Sequence, residues 1–383
     1  MKLHRVLWKI HRWAGLVTGL FFAIVALTGI ILIWSHELNL REHPLLPEGS
    51  TTEVSPKLPN AIADFITANP GSRLGTIIIP AETTKPRAWH VYLRPAGASA
   101  SITGEFDPSR AVLLGTHNAN TTRQRLLVKL HYEFLLGTPG AIACWIVSCA
   151  LVLLSISGLW IYRGAWRDLF RWKAGKTIRS LIGWLHRWFG VWTLVLALIW
   201  GVTGFIYLYL IIPNRLYPKY TSSAHVDPQP TDPTVIRQIH DLPTMFETVQ
   251  EVLPDAAIIG IRITSSKNGT LKVVVRTLHR ERWFWEKIGK VTLDGRTGEI
   301  LQLNQPGTGT ARQRMLVVLA SLHFGSRGSR LQQIIWTIGG LAMFFLPISG
   351  YALWLWRRRK PKRLRTKRAA ISESKSAIVS LST

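Results

Sequence analysis

Four stretches of this chain contain no Asp, Glu, Lys or Arg: residues 13–36, 134–162, 188–214 and 331–356. A membrane-crossing helix needs roughly 20 predominantly apolar residues. Uncharged runs of this length are rare in buried soluble helices. The pattern predicts four spanning helices, and the rest of the chain must be arranged around them. The first run follows a basic start, as a signal peptide would. It has an internal copy, however, and no small-x-small cleavage site follows residue 30. A retained helix is expected.

The copy is explicit. His11-Arg12-Trp13-Ala14-Gly15-Leu16 opens the first run and Thr28-Gly29 closes it. His186-Arg187-Trp188-Phe189-Gly190-Val191 and Thr203-Gly204 do the same in the third, 175 residues later. Leu130-His131 matches Leu322-His323, and Ile156-Ser157-Gly158 matches Ile348-Ser349-Gly350, both 192 residues apart. The chain is a duplicated membrane protein with a histidine near one end of each span.

The net charge of +26 would suggest nucleic acid in a soluble protein. Here the cations cluster beside spans: Lys2 to Arg12, Arg163 to Arg187, and Arg357 to Arg368. Such flanks mark cytoplasmic sides and contacts to anionic lipid, and nucleic-acid binding is not expected. Both termini are expected in the cytoplasm. The long loops, about 38–130 and 215–322, then lie outside, in the periplasm of a bacterium with two membranes. Cys144 and Cys149 give no disulfide framework and no zinc spacing. C-x-x-C-H is absent, which excludes covalent c-type haem.

The external loops also match each other. Helical stretches are expected at Asn60 to Asn69 and Thr244 to Leu253, each bracketed by prolines. Strands are expected at 76–79, 89–94, 260–263 and 271–278. Turns follow at Asp107-Pro108-Ser109-Arg110 and Asp294-Gly295-Arg296-Thr297-Gly298-Glu299. The expected fold is an α-helical membrane protein with α+β extramembrane modules. The expected order is span one over 1–36, module one over 37–122, a juxtamembrane helix and span two over 123–163, a basic cytoplasmic loop over 164–185, span three over 186–213, module two over 214–311, a juxtamembrane helix and span four over 312–357, and a basic disordered tail over 358–383. Two halves of this kind are parallel repeats, related by an axis along the membrane normal.

Four of the twelve histidines are matched by the repeat. His11 and His186 sit at the expected cytoplasmic starts of spans one and three. His131 and His323 sit at the external ends of spans two and four. Any one of them is explained as an interfacial anchor. The pairwise match favours ligation: two neutral imidazoles on opposite faces of a porphyrin iron give a six-coordinate b-type haem suited to electron transfer. Two such haems are expected, one toward each membrane face. Arg12 and Arg187, with Arg123, Arg125, Arg312 and Arg314, stand near enough in sequence to pair with haem propionates, or to form a solvated rim. Small-residue stripes at Gly15 and Gly19, and at Gly183, Gly190, Ala197 and Gly204, admit a close helix or a flat macrocycle. His36 ends span one without a repeat partner. His4, His43, His90, His117, His225, His240 and His279 are expected at the surface. Tryptophans at span ends read as an aromatic belt.

The H-R-W-x-G helix starts, the T-G pairs, the D-x-x-T-G-E-type turn at Asp294 and the L-H before spans two and four together resemble the PepSY-associated transmembrane family. The resemblance covers nearly the whole chain. The family includes iron-regulated inner-membrane proteins and siderophore-iron reductases that bind b-type haem, the ferrioxamine-type branch being the nearest. The turn at Asp107 departs from the pattern, lacking T-G-E. The resemblance implies PepSY-like periplasmic modules, a ferric siderophore as substrate, and an electron donor that is quinol or a cytoplasmic reductase. No nucleotide or flavin fingerprint is present to supply electrons within the chain. Two other functions fit the sequence: a non-enzymatic membrane sensor or regulator, and a ferric-chelate permease. Against the permease, no ionisable carboxylate, lysine or arginine lies inside any of the four runs.

Overall fold

The computed structural model describes residues 2–35, 43–80, 85–96, 101–119, 122–162, 164, 167, 170, 175, 177–216, 230–265, 270–279, 288–305, 310–325 and 330–358. His36, His225, the tail from Arg359 and most of the loop over 163–176 lie outside them. The chain forms two compact units. The first comprises Met1–Ala23, Ala150–Leu198 and Leu341–Thr383; the second comprises Ile24–Cys149 and Ile199–Gly340.

Long helices follow the uncharged runs. Helices α1 (Lys2–Ile33), α4 (Thr138–Ile161) and α10 (Arg330–Arg358) are each long and apolar enough to cross a membrane. The third run behaves differently. It falls into α5 (Ile178–Trp192) and α6 (Leu194–Leu216), bent by 62° at Thr193. The single helix expected over 186–213 is therefore broken, and His186 lies within α5 rather than at the start of a span. The composition changes at the break. α5 carries Arg179, His186 and Arg187 among apolar residues, whereas α6 has no charge before Arg215. An amphipathic helix favours the membrane interface and an all-apolar one the hydrocarbon, so the two halves prefer different surroundings. The Thr193 hydroxyl and amide both donate to the Phe189 carbonyl, at 2.7 and 2.9 Å, and close off α5.

In the second unit the two modules share one sheet. Module one supplies α2 (Leu58–Thr67), β1 (Ser72–Ile78), β2 (Trp89–Pro95), β3 (Ile102–Asp107) and β4 (Val112–Asn118). Helix α3 (Arg123–Glu133) then leads to α4. Module two supplies α7 (Pro233–Arg237), α8 (Leu242–Val252), β5 (Ala256–Ser265), β6 (Leu271–His279), β7 (Ile288–Asp294) and β8 (Ile300–Asn304); α9 (Ala311–Phe324) leads to α10. The eight strands are all antiparallel in the order β4-β3-β2-β1-β5-β6-β7-β8. The seam is β1 against β5, with Ile77 opposite Ile261. Gly260 permits it, because a Cβ there would stand 2.7 Å from the Ile77 carbonyl oxygen.

One face of the sheet holds the core. Ile62, Phe65 and Ile66 of α2 and Met245 and Val249 of α8 pack on Leu93, Phe106, Val273 and Val291. Each such side chain contributes about 1.5–3 kcal/mol on full burial. Val273 and Val275 point in while Lys272 is exposed, which is the period-two pattern of a half-buried strand. The two turns are built alike despite their different sequences. Asp294 Oδ1 accepts from the amides of Arg296 and Thr297 at 2.8 and 3.2 Å, and Gly298 adopts φ +77°. Asp107 Oδ1 accepts from the amides of Ser109 and Arg110 at 2.9 and 3.2 Å, and Ala111 adopts φ +55°. The first turn lacks T-G-E but keeps the aspartate that organises it, placing alanine where the second has the glycine such a φ favours.

Candidate cofactor site

Each unit brings together one pair of repeat-matched histidines. In the first unit, α1 supplies His11 and α5 supplies His186, and both line one cavity of about 660 Å³. Cofactor pockets run to roughly 300–1,000 Å³. Gly15, Gly19, Gly183 and Gly190 line the same cavity. A Cβ on Gly190 would meet nothing within 4 Å; the open space beside that backbone belongs to the cavity. The walls are mainly apolar, with Arg12, Arg187, Arg357 and Arg358 among the lining residues. Arg12 lies over the Trp8 ring at 4.7 Å, and its Nε is shielded from solvent with no hydrogen-bond partner. A buried donor in this state is suited to an anionic ligand. Arg357 and Arg358 were legible in the sequence only as part of the basic flank.

In the second unit, α3 supplies His131 and α9 supplies His323. Their ring centroids are 6.3 Å apart and their planes cross at 71°. A metal–imidazole bond of about 2.1 Å puts a ring centre about 3 Å from the metal, so two opposite ligands have centres about 6 Å apart. The observed spacing matches one ion held between two imidazoles. Arg123, Arg125 and Arg314 are exposed on α3 and α9. The side chain of Arg312 lies outside the described residues.

The hydroxyls beside the histidines belong to the repeated Ser-Gly and Thr-Gly pairs, whose pairing with the rings was not legible in the sequence. His11 Nδ1 meets Ser157 Oγ at 3.0 Å, and His186 Nδ1 meets Ser349 Oγ at 2.7 Å. His131 Nδ1 meets Thr28 Oγ1 at 3.0 Å, and His323 Nδ1 meets Thr203 Oγ1 at 2.8 Å. Every one of these hydroxyls donates its proton to a backbone carbonyl of its own helix: Leu153, Leu346, Ile24 and Ile199 respectively. With its proton so placed, the hydroxyl oxygen accepts from Nδ1–H. This arrangement favours the same tautomer in all four rings. Nδ1 carries the proton and Nε2 carries the lone pair, as in an outer-shell arrangement that orients a metal-ligating histidine.

A glycine follows each hydroxyl and lies against the ring, and at two of the four positions it makes room for it. A Cβ on Gly29 would lie 3.0 Å from His131 Cε1, and one on Gly158 would lie 3.1 Å from His11 Cε1. The corresponding distances are 3.6 Å at Gly350 to His186 and 3.7 Å at Gly204 to His323. The Thr-Gly and Ser-Gly pairs that recur in the sequence are thus histidine cradles. Among the described residues no group of three or more His, Cys, Asp or Glu forms a ready metal cluster; the pairs here supply two ligands each.

The remaining histidines require one correction. His43 and His90 are not at the surface but buried, at 5% and 3% exposure. The segment following span one lays His43 against the sheet face opposite the core, where it stacks on His90 at 3.7 Å.

The family described as PepSY-associated TM region matches residues 8–358. An uncharacterized protein of Pseudomonas aeruginosa is 34% identical over 79 residues. That match covers 21% of this chain, and the chain covers 20% of the relative's length.

Proposed function

Because the chain belongs to the PepSY-associated TM region family, we propose that it is a di-haem b-type electron-transfer protein of a bacterial inner membrane that reduces a ferric siderophore in the periplasm. The termini lie in the cytoplasm in this reading, and the donor is quinol or a cytoplasmic reductase. The observation that carries it is the shared contact: four histidines, each with Nδ1 against a hydroxyl of another helix, an arrangement that leaves Nε2 as the ligand nitrogen. The 6.3 Å spacing of His131 and His323 supports it.

His11 and His186 would hold one haem and His131 and His323 the other. Ser157, Ser349, Thr28 and Thr203 fix the four rings before any cofactor arrives. Arg12 and Arg187 would neutralise propionates of the first haem, and the glycines keep the cavity wall flat. Bound haem would supply reversible one-electron exchange at its iron. One electron converts the siderophore's Fe(III) to Fe(II), a softer ion that hard oxygen donors hold less tightly, and the iron is released.

The test is the absorption spectrum of the purified protein from haem-sufficient cells. The proposal expects a Soret band, two haems per chain, and loss of one in each of His131→Ala and His186→Ala. A colourless protein, or spectra unchanged in both variants, overturns it and favours a regulatory role for the modules. Iron trapped by a ferrous chelator after adding reduced protein in detergent to the ferric chelate separates reduction from transport.

A further inference from the structure

The sheet carries a second histidine cluster for which the haem reading has no use. Trp89, Val91 and Leu93 of β2 face the core, so His90 points to the opposite face. There it stands opposite Glu105 of β3 in register, and His117 of the edge strand β4 lies on Glu105's other side. His117 Nδ1 is 3.1 Å from Glu105 Oε1, and His90 Nε2 is 4.0 Å from the same oxygen. His90 is 3% exposed and its Nε2 has no hydrogen-bond partner. Glu105 and His117 are partly open to solvent.

We propose that His90, Glu105 and His117 form a binding site for one divalent first-row transition ion such as Zn2+ or Fe2+. Two imidazoles and one carboxylate are a recurrent donor set for such ions and leave coordination positions open. Donors around a tetrahedral ion with bonds of about 2.1 Å stand roughly 3.4 Å apart, and the observed 3.1 and 4.0 Å bracket that value. The three donors do not yet converge on one point. The ion closes the site by drawing in His117, whose side chain is 33% exposed and has room to turn. His90 is the fixed member. The His43 ring stacks on it with a 17° tilt, and His43 Nδ1 donates to the Ala88 carbonyl at 2.9 Å. Burial, and then the neighbouring His43 and His117, push His90 down to about 3. The ring is therefore in its neutral, ligating form at neutral pH.

The site stands apart from the haem reading, and its test does not use haem chemistry. Full-length protein in detergent, treated with EDTA, is dialysed against chelator-buffered Zn2+, and bound zinc is counted by elemental analysis. One ion per chain is expected above the level of the triple variant His90→Ala/Glu105→Gln/His117→Ala. Glu105→Gln or His117→Ala alone should weaken binding beyond the roughly 10–100-fold that loss of an outer-shell partner costs. His43→Ala should fall within that range, and His240→Ala should bind as the parent does. Melting temperatures of Glu105→Gln and His117→Ala, whose side chains are not fully buried, establish that these variants fold. No zinc above the triple variant, or full binding by both single variants, overturns the site and leaves a His–Glu contact within the sheet.

Discussion

Replacing Thr28 by valine tests the histidine cradle without changing its shape. Valine keeps the branched volume and removes only the hydroxyl oxygen that accepts from His131 Nδ1 at 3.0 Å. The Ile24 carbonyl loses its side-chain donor too, but it remains in helical hydrogen bonding. The main loss falls on His131. Its Nδ1–H loses that acceptor at a buried position, with the Val25 carbonyl beside it as the alternative, which costs up to about 1–3 kcal/mol. The ring can recover part of this by turning or by moving its proton to Nε2, and either response spoils Nε2 as a ligand. An energy of that size corresponds to a loss of affinity of about 5–150-fold, in line with the roughly 10–100-fold cost of removing an outer-shell partner. The assay is haem content and haem dissociation for the parent, Thr28→Val and Thr28→Ser, with the reduction potential measured for each. Thr28→Ser should behave as the parent, because it keeps the accepting oxygen. Thr28→Val should lose one haem preferentially and shift the potential of what remains. Equal haem retention and equal potentials in all three proteins would show that the hydroxyl does not set the ring, and the tautomer argument for all four histidines would fall with it.

The glycines should grade by distance. Gly158→Ala, at 3.1 Å from His11, should disturb haem absorption more than Gly350→Ala, at 3.6 Å from His186; equal spectra would refute the packing argument. Gly260→Val should strike the Ile77 carbonyl across the β1–β5 seam, where backbone cannot give way, and cost about 1–3 kcal/mol; an unchanged melting temperature in detergent would contradict it. His90 supplies an acid limb to stability. Its folded value of about 3 lies below the ordinary 6.5, so the unfolded chain binds the extra proton between those limits and stability falls as pH drops through them. In EDTA-treated protein, His90→Asn should flatten that limb, and an identical pH profile would count against the burial.

The uncharged runs made three spanning helices plain because length and absence of charge are local properties. The break at Thr193 was not plain. Thr18 and Thr203 bond carbonyls four residues back just as Thr193 does, yet α1 and α6 continue through them. The hydroxyl alone therefore does not mark the break; the composition changes there from amphipathic to all-apolar, and that is visible only when 178–192 is weighed separately from 194–210. The single sheet was hidden for a different reason. Each module's strands are local, but the pairing of β1 with β5 joins residues about 185 positions apart, and no period within either strand encodes it.

The cradles lie between these cases. Their members were visible as repeats, but their pairing was not. The features of spans one and three recur after 175 residues and those of spans two and four after 192. Every histidine takes its hydroxyl from the other class. His11 binds Ser157 and His131 binds Thr28, while His186 binds Ser349 and His323 binds Thr203. Each contact therefore links two helices of the same half, and each half carries both contacts. An interfacial anchor needs only water at its ring nitrogens, so it would place no demand on a neighbouring helix. Four rings whose Nδ1 is engaged by a hydroxyl from another helix are held in direction as well as in depth, and direction is a requirement of ligation rather than of anchoring.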